Sequence, residues 1–194
     1  MRTLIRQRLR DEHADDIAAH TQAFDLLLTE LRASPIAIET QAANVQHYEL
    51  PGAFFEAHLG PRLKYPRGDE SPGEAEEAML ALYAERAQLA DGQRVLDLGC
   101  GWGSLALWIA EHYPRSRVVA LSNSHGQHAF IEARSLERGL DNVLVVTGNI
   151  AEFDFPGESP PFDRILSIEM FEHMKNYGAL ARGRRQALRA SVRA

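Results

Sequence analysis

The apolar positions of this chain change period along its length, and those changes mark its elements. From residue 3 to about 33, Leu4, Ile5, Leu9, Ile17, Phe24, Leu27, Leu28 and Leu31 recur at spacings nearer three or four than two, which predicts one or two helices. Pro35 ends that region. Prolines at 51, 61, 66 and 72 then break the chain into short pieces that read as a connector lying over something else. Ser71-Pro72 followed by Glu74 supplies an N-cap, a proline at the first helical position and an acid in the first turn. The helix that starts there has Ala75, Met79, Leu82, Tyr83 and Ala87 as its expected core-facing stripe, and Asp91-Gly92 turns the chain out of it. Beyond that turn come strand-like "RVLDL", glycine-rich "GCGWG", helical "SLALWIAEHY", strand-like "RVVALS", helical "QHAFIEARSLERG" and strand-like "NVLVVTG". A proline-rich loop from Phe155 to Pro161 leads to a last strand, "FDRILSIEM". The order β-α-β-α-β-loop-β predicts an α/β domain with a mostly parallel sheet, and there is no internal repeat.

Composition narrows the setting. A chain of 194 residues with 45% hydrophobic content has enough apolar material for one domain, or one domain with a helical annex. The net charge of −6 argues against a nucleic-acid footprint, although the charge is uneven. From Tyr177 onward there are five arginines and no acid, so residues 1–176 carry −11. A single cysteine, Cys100, forms no internal disulfide and no thiolate cluster, so a reducing, cytoplasmic setting and no structural metal are expected. No apolar stretch approaches the ~18 residues of a membrane span. The arginine-rich start, "MRTLIRQRLRDEHADD", meets acids at once and reads as a charged amphipathic helix, not as a transit peptide.

"VLDLGCGWGS" places Gly99, Gly101 and Gly103 between a strand and a helix, where missing side chains let backbone approach a ligand and the helix start offers free N–H groups. The dinucleotide fingerprint needs a third glycine where Ser104 stands and an acid at the end of the second strand, which "ALSNSHGQ" lacks. Asp97, two residues before the first glycine, instead fits the E/D-x-G-x-G-x-G form of S-adenosylmethionine (SAM) methyltransferases. The segment "SIEMFEHMKNY" adds Glu169, Glu172 and His173; in a helical turn these stand at i, i+3 and i+4 and converge on one side. Trp102 and Trp108 are expected to pack, and His112, His125 and His128 to be exposed helix residues. Lys175 and Tyr177 read as surface and packing residues, and Tyr48, Phe54 and Phe55 as candidates to line a lid.

Taken together, "RVLDLGCGWGSLALWIAEHYP", "LSNSHGQ" and "SIEMFEHMKNYG" resemble the cyclopropane fatty acid synthase superfamily, most closely its coclaurine-type N-methyltransferase branch. "VQHYELPGAFFEAHLGPRLKY" is similar to that superfamily's leading segment, so the resemblance covers about residues 35 to 178. It implies a Rossmann-like class I SAM methyltransferase sheet, with strands 1–4 in the order 3-2-1-4 and an N-terminal helical annex closing over cofactor and substrate. By position, it implies that Gly99, Gly101 and Gly103 admit the methionine portion and ribose of SAM and that Asp97 orients their loop. Ser122, Asn123 and Gln127 match the stretch that replaces a ribose-binding acid, and Asn149-Ile150 stands where an aspartate and an apolar residue meet the adenine. Glu172 and His173 correspond to a proton-accepting pair and Glu169 to a positioning carboxylate, acting on the nitrogen of a small-molecule amine; histidine's ordinary titration range suits that role.

The sequence departs from the family in two places. Tyr65 runs directly into "PRGDESPG", where the family has a serine- and aromatic-containing stretch against SAM. After the fourth strand, "ALARGRRQALRASVRA" stands where three further strands and a substrate-binding insertion are expected. The expected division is therefore a helical lid segment at 1–73, a partial SAM-binding domain at 74–178 and an atypical arginine- and alanine-rich tail at 179–194. With the fourth strand left as an edge, low stability or dependence on a homo-oligomer or another stabilising partner is expected. Two other readings remain open: alkylation of a lipid alkene in the manner of cyclopropane synthases, and a truncated, inactive SAM-binding fragment.

Overall fold

The computed structural model describes residues 2–12, 15–38, 52–64, 71–153 and 161–185. Tyr48, the run from Tyr65 to residue 70, most of the loop before Phe162 and the tail from residue 186 lie outside the described residues. The elements are α1 (Arg2–Asp11), α2 (Ile17–Ala33), α3 (Gly52–His58), α4 (Pro72–Arg86), β1 (Arg94–Leu98), α5 (Ser104–His112), β2 (Arg117–Ser122), α6 (His125–Glu137), β3 (Val143–Thr147), β4 (Arg164–Leu166), a short 3-10 turn (Phe171–His173) and α7 (Tyr177–Arg185).

Four parallel strands form one sheet in the order β3-β2-β1-β4, as the resemblance implies. The register aligns Asp97 with Ala120 on one side and with Leu166 on the other, so β1 is paired along both edges. Because successive side chains of a strand point to opposite faces, "VLDL" divides its residues between two cores. Val95 packs with Leu105, Ile109, Val118, Ile131 and Leu166 on one face. Leu96 and Leu98 pack with Val119, Leu121, Phe162, Met170, Met174 and Leu180 on the other. A sheet covered on both sides needs near-continuous apolar strands, which these are.

The start of α4 is as expected: the Ser71 N–H and hydroxyl both donate to the Glu74 carboxylate, at 3.3 and 2.6 Å. Its buried stripe is rotated from the expected one. Ala75, Glu76, Leu80 and Ala84 are buried, whereas Leu82 is exposed. The rotation follows from Glu76, whose carboxylate is needed inside, where it accepts the Arg62 and Lys64 N–H groups at 2.8 and 2.7 Å. The last strand is shorter than expected, three residues, because the chain leaves the sheet at Ser167.

The N-terminal region does form two helices, but α2 buries none of its residues, and Leu4, Ile5, Leu9, Ile17, Phe24 and Leu27 are exposed. Its end is tied down. The backbone after α2 bridges Ala37 to Met174, and the Ile36 carbonyl accepts the Lys175 N–H at 2.8 Å. Buried Asn176 donates to the Arg32 and Ser34 carbonyls at 2.8 and 2.9 Å while its own oxygen accepts the Ala179 N–H at the start of α7. The helical annex is thus fastened to the residues that follow the Glu-His segment.

Candidate active site

Between β1 and its neighbours the chain order reverses, with β2 on one side and β4 on the other, and the carboxyl ends of these strands carry both sequence motifs. Gly99, Gly101 and Gly103 all hold left-handed backbone, with φ of 78°, 54° and 80°. Their surroundings divide their tasks. A Cβ at Gly99 would meet Met170 at 2.7 Å, and one at Gly103 would meet Ile131 at 2.7 Å, so these two let protein pack close. Gly101 faces open space. The Gly99 and Cys100 N–H groups both donate to the Leu121 carbonyl at 3.0 Å, which closes the loop over the end of the sheet.

Asp97 lies beneath this loop with 2% exposure. One carboxylate oxygen accepts the Ala106 N–H in the first turn of α5, while Oδ2 has no partner among the described residues. Burial pushes its pKa up to about 7, against the opposing pull of the Lys64 charge and the Ala106 N–H. The neighbouring Cys100 thiol is pushed well up by burial and by the Asp97 charge, which leaves it a small neutral packing group.

The other cofactor candidates come together at the ends of β2 and β3. Ser122 donates to the Gln127 side-chain oxygen at 2.6 Å and accepts the Ser124 N–H at 3.0 Å; both Ser122 and Gln127 are buried. These two therefore shape the turn into α6, and Asn123 between them is the exposed one. The Asn149 oxygen accepts the Ala151 N–H at 3.1 Å, and its amide donates to Glu152 at 3.3 Å, so this side chain organises the turn after β3. Ile150 packs against the second core.

The segment "SIEMFEH" is pinned across the end of β1. The Ser167 hydroxyl donates to the Leu98 carbonyl at 3.0 Å, and Met170 fills the space beside Gly99. Between them Glu169 adopts φ 55°, rare for a residue with a side chain and a mark of a constrained site. This reversal corrects the expected helical stacking: the turn begins only at Phe171, so Glu169 stands outside it and the i, i+3, i+4 register is not formed. Glu169 instead faces Lys64, at 3.6 Å, while Glu172 and His173 are exposed on the 3-10 turn.

Lys64, Glu76 and Asn176 went unnoticed in the sequence, since each acts through partners distant along the chain. Of the expected packing residues, Trp108 is buried and donates to Glu77 at 2.5 Å, and His112 stacks on it at 4.0 Å. Trp102 packs between Phe55 and Phe130, at 4.9 and 5.2 Å. It also lines a cavity of about 290 Å3 with Arg62, Ser104, Phe130, Arg134 and Arg138. None of the expected site residues lines that cavity, and its arginines are paired with Glu111, Glu77, Glu56 and Glu137.

A four-stranded parallel sheet that reverses order at β1, with a left-handed glycine loop over a buried acid at that point, defines a Rossmann-like class I methyltransferase fold. Residues 37–190 match the family described as mycolic acid cyclopropane synthetase, and the chain belongs to that family. It is 46% identical over 161 residues to (S)-coclaurine N-methyltransferase of Thalictrum flavum subsp. glaucum, covering 80% of this chain and 44% of that one. Cyclopropane-fatty-acyl-phospholipid synthase of Escherichia coli (strain K12) is 36% identical over 138 residues, or 68% of this chain and 34% of that one. Among solved structures, coclaurine N-methyltransferase bound to N-methylheliamine and SAH superposes with a TM-score of 0.88 at 38% identity, over 97% of this chain and 55% of that one. The chain spans about half the length of these N-methyltransferases.

Proposed function

We propose that this chain binds SAM and supports transfer of its methyl group to a small-molecule amine. The observation that carries the reading is the juxtaposition at the end of β1: Met170 seats the Glu169–His173 segment directly on Gly99, beside the loop that covers Asp97. The higher identity to N-methyltransferases than to the phospholipid synthase favours an amine over a lipid alkene.

SAM supplies an electrophilic methyl group on a sulfonium. The residues present fit such a cation: Asp97 Oδ2 is a buried oxygen without a partner among the described residues, and a side chain built at Gly101 of the overlying loop would meet nothing within 4 Å. Gly99 and Gly103 shape the loop, Asn123 stands exposed at the end of β2, Asn149 organises the turn after β3, and Ser122, Gln127 and Ile150 hold that rim in place. Residues 74–178 form the cofactor domain, and residues 1–73 its helical cover.

A protonated amine has no lone pair to donate, so a base must take its proton. Glu172 and His173 are that base pair, and Glu169, held in left-handed backbone, positions the nitrogen.

Calorimetry with SAM, followed by turnover on panels of secondary and tertiary amines and of monounsaturated phospholipid, tests this. Glu172→Gln is expected to retain SAM binding and to lose turnover by about 10²–10⁴-fold. Turnover of the phospholipid but of no amine establishes the lipid reading instead, and absence of SAM binding refutes both.

A further inference from the structure

We propose that Lys64 is a positioning residue of the cofactor site: a fastened turn holds its ammonium against Glu169 and near enough to the buried Asp97 carboxylate to act on it. The proposal rests on the SAM reading above.

The turn that carries Lys64 is fastened on several sides. Leu63 adopts φ 54°, and its N–H donates to the Gly60 carbonyl at 2.9 Å. Fully buried Glu76 takes the Arg62 and Lys64 N–H groups on its two oxygens, and the Ser104 hydroxyl donates to the Leu63 carbonyl at 3.0 Å. A Cβ at Gly60 would come within 2.5 Å of Glu76, so the turn fits around that carboxylate. The Arg62 guanidinium adds bonds to Glu77 and Glu111. Because Ser104 opens α5 just after the glycine loop, its bond ties the turn that carries Lys64 to that helix start.

The ammonium lies 3.6 Å from Glu169, and the Lys64 side chain is only 16% exposed. Its charge also opposes the burial that raises the Asp97 pKa. Glu169 is 59% exposed, so this ion pair contributes little to stability, and the consequence of Lys64 is where it puts charge. Among the described residues, the charged and titratable groups facing Asp97 are Lys64 from the turn, Glu169 through Lys64, and the Cys100 thiol from the loop itself. Asp97 is the buried carboxylate beneath the site proposed for a cationic cofactor, so its ionisation controls binding. Without Lys64, burial is opposed among the described residues by the Ala106 N–H alone, and Asp97 titrates higher.

The test is SAM affinity by calorimetry from pH 6 to 9 in the full chain, as wild type, Lys64→Gln and Lys64→Arg. Wild-type affinity should rise with pH through about 7, where Asp97 ionises. For each unit by which Lys64→Gln moves that titration upward, affinity at pH 7 falls about fivefold, and the defect shrinks to under about twofold at pH 9. Lys64→Arg, which keeps the charge, should restore the wild-type profile. A merely structural role predicts a defect of equal size at every pH; that result, or no defect at all, overturns the proposal while leaving SAM binding intact. A wild type that binds no SAM at any pH overturns the SAM reading and this inference with it.

Discussion

Replacing Asp97 with asparagine should stabilise the protein while abolishing its proposed use. The carboxyl is buried, one of its oxygens has no partner among the described residues, and its pKa rises from 3.8 to about 7. Folding therefore disfavours the ionised form, so wild-type stability falls as pH rises from about 4 to about 7 and is flat above, the folded state binding the extra proton in that window. At about 1.4 kcal/mol per unit, the cost is on the order of 4 kcal/mol at pH 8, about 2 kcal/mol at pH 5 and near zero below pH 4. Asparagine does not titrate, but its amide nitrogen inherits the position of Oδ2 and costs about 1–3 kcal/mol as an unpartnered donor. The net gain of Asp97→Asn at pH 8 is thus about 1–3 kcal/mol. The difference between pH 8 and pH 5 is cleaner, because the amide penalty cancels: the variant's advantage should shrink by about 2–3 kcal/mol. Urea denaturation of both proteins at the two pH values, with SAM calorimetry at pH 8, makes the measurement. An advantage that is the same at pH 5 and pH 8, or SAM binding undiminished in the variant, would refute the reasoning.

Two further substitutions probe how the site is held. Gly103→Ala forces a side chain into backbone at φ 80° and to within 2.7 Å of Ile131, so its urea midpoint should fall by an amount equivalent to about 2–4 kcal/mol. Asn176→Ala removes the α7 cap and the two bonds to the end of α2, and should cost about 2–3 kcal/mol in the same assay. A variant within about 0.5 kcal/mol of wild type in either case would show that the contact is not holding the fold.

The short apolar runs in "RVLDL" and "RVVALS", the glycines after Leu98 and the Ser71-Pro72-Glu74 start are short-range features, and they specify strands, a tight loop and a helix start without distant partners. The glycine loop and the Glu-His segment could therefore be located and assigned to the ends of particular strands from residue order alone. Periodicity does not say which polar residue a helix buries, and so the α4 stripe was misplaced: Glu76 is inside because backbone N–H groups from residues 62 and 64 must be satisfied there. The same limit hid Asn176, whose two acceptors lie more than 140 positions away, and Lys64, which meets Glu169 only once the turn from Gly60 is fastened across α4 and α5. Nor could spacing show that the chain reverses at Glu169. That reversal follows from Ser167 bonding to Leu98 and Met170 packing against Gly99, contacts that exist only after β1 and β4 have paired. Residue order thus specifies which chemical groups this protein carries and on which elements they stand. Which of those groups are buried, charged and facing one another emerges in three dimensions, because burial and pairing depend on neighbours brought together from distant parts of the chain.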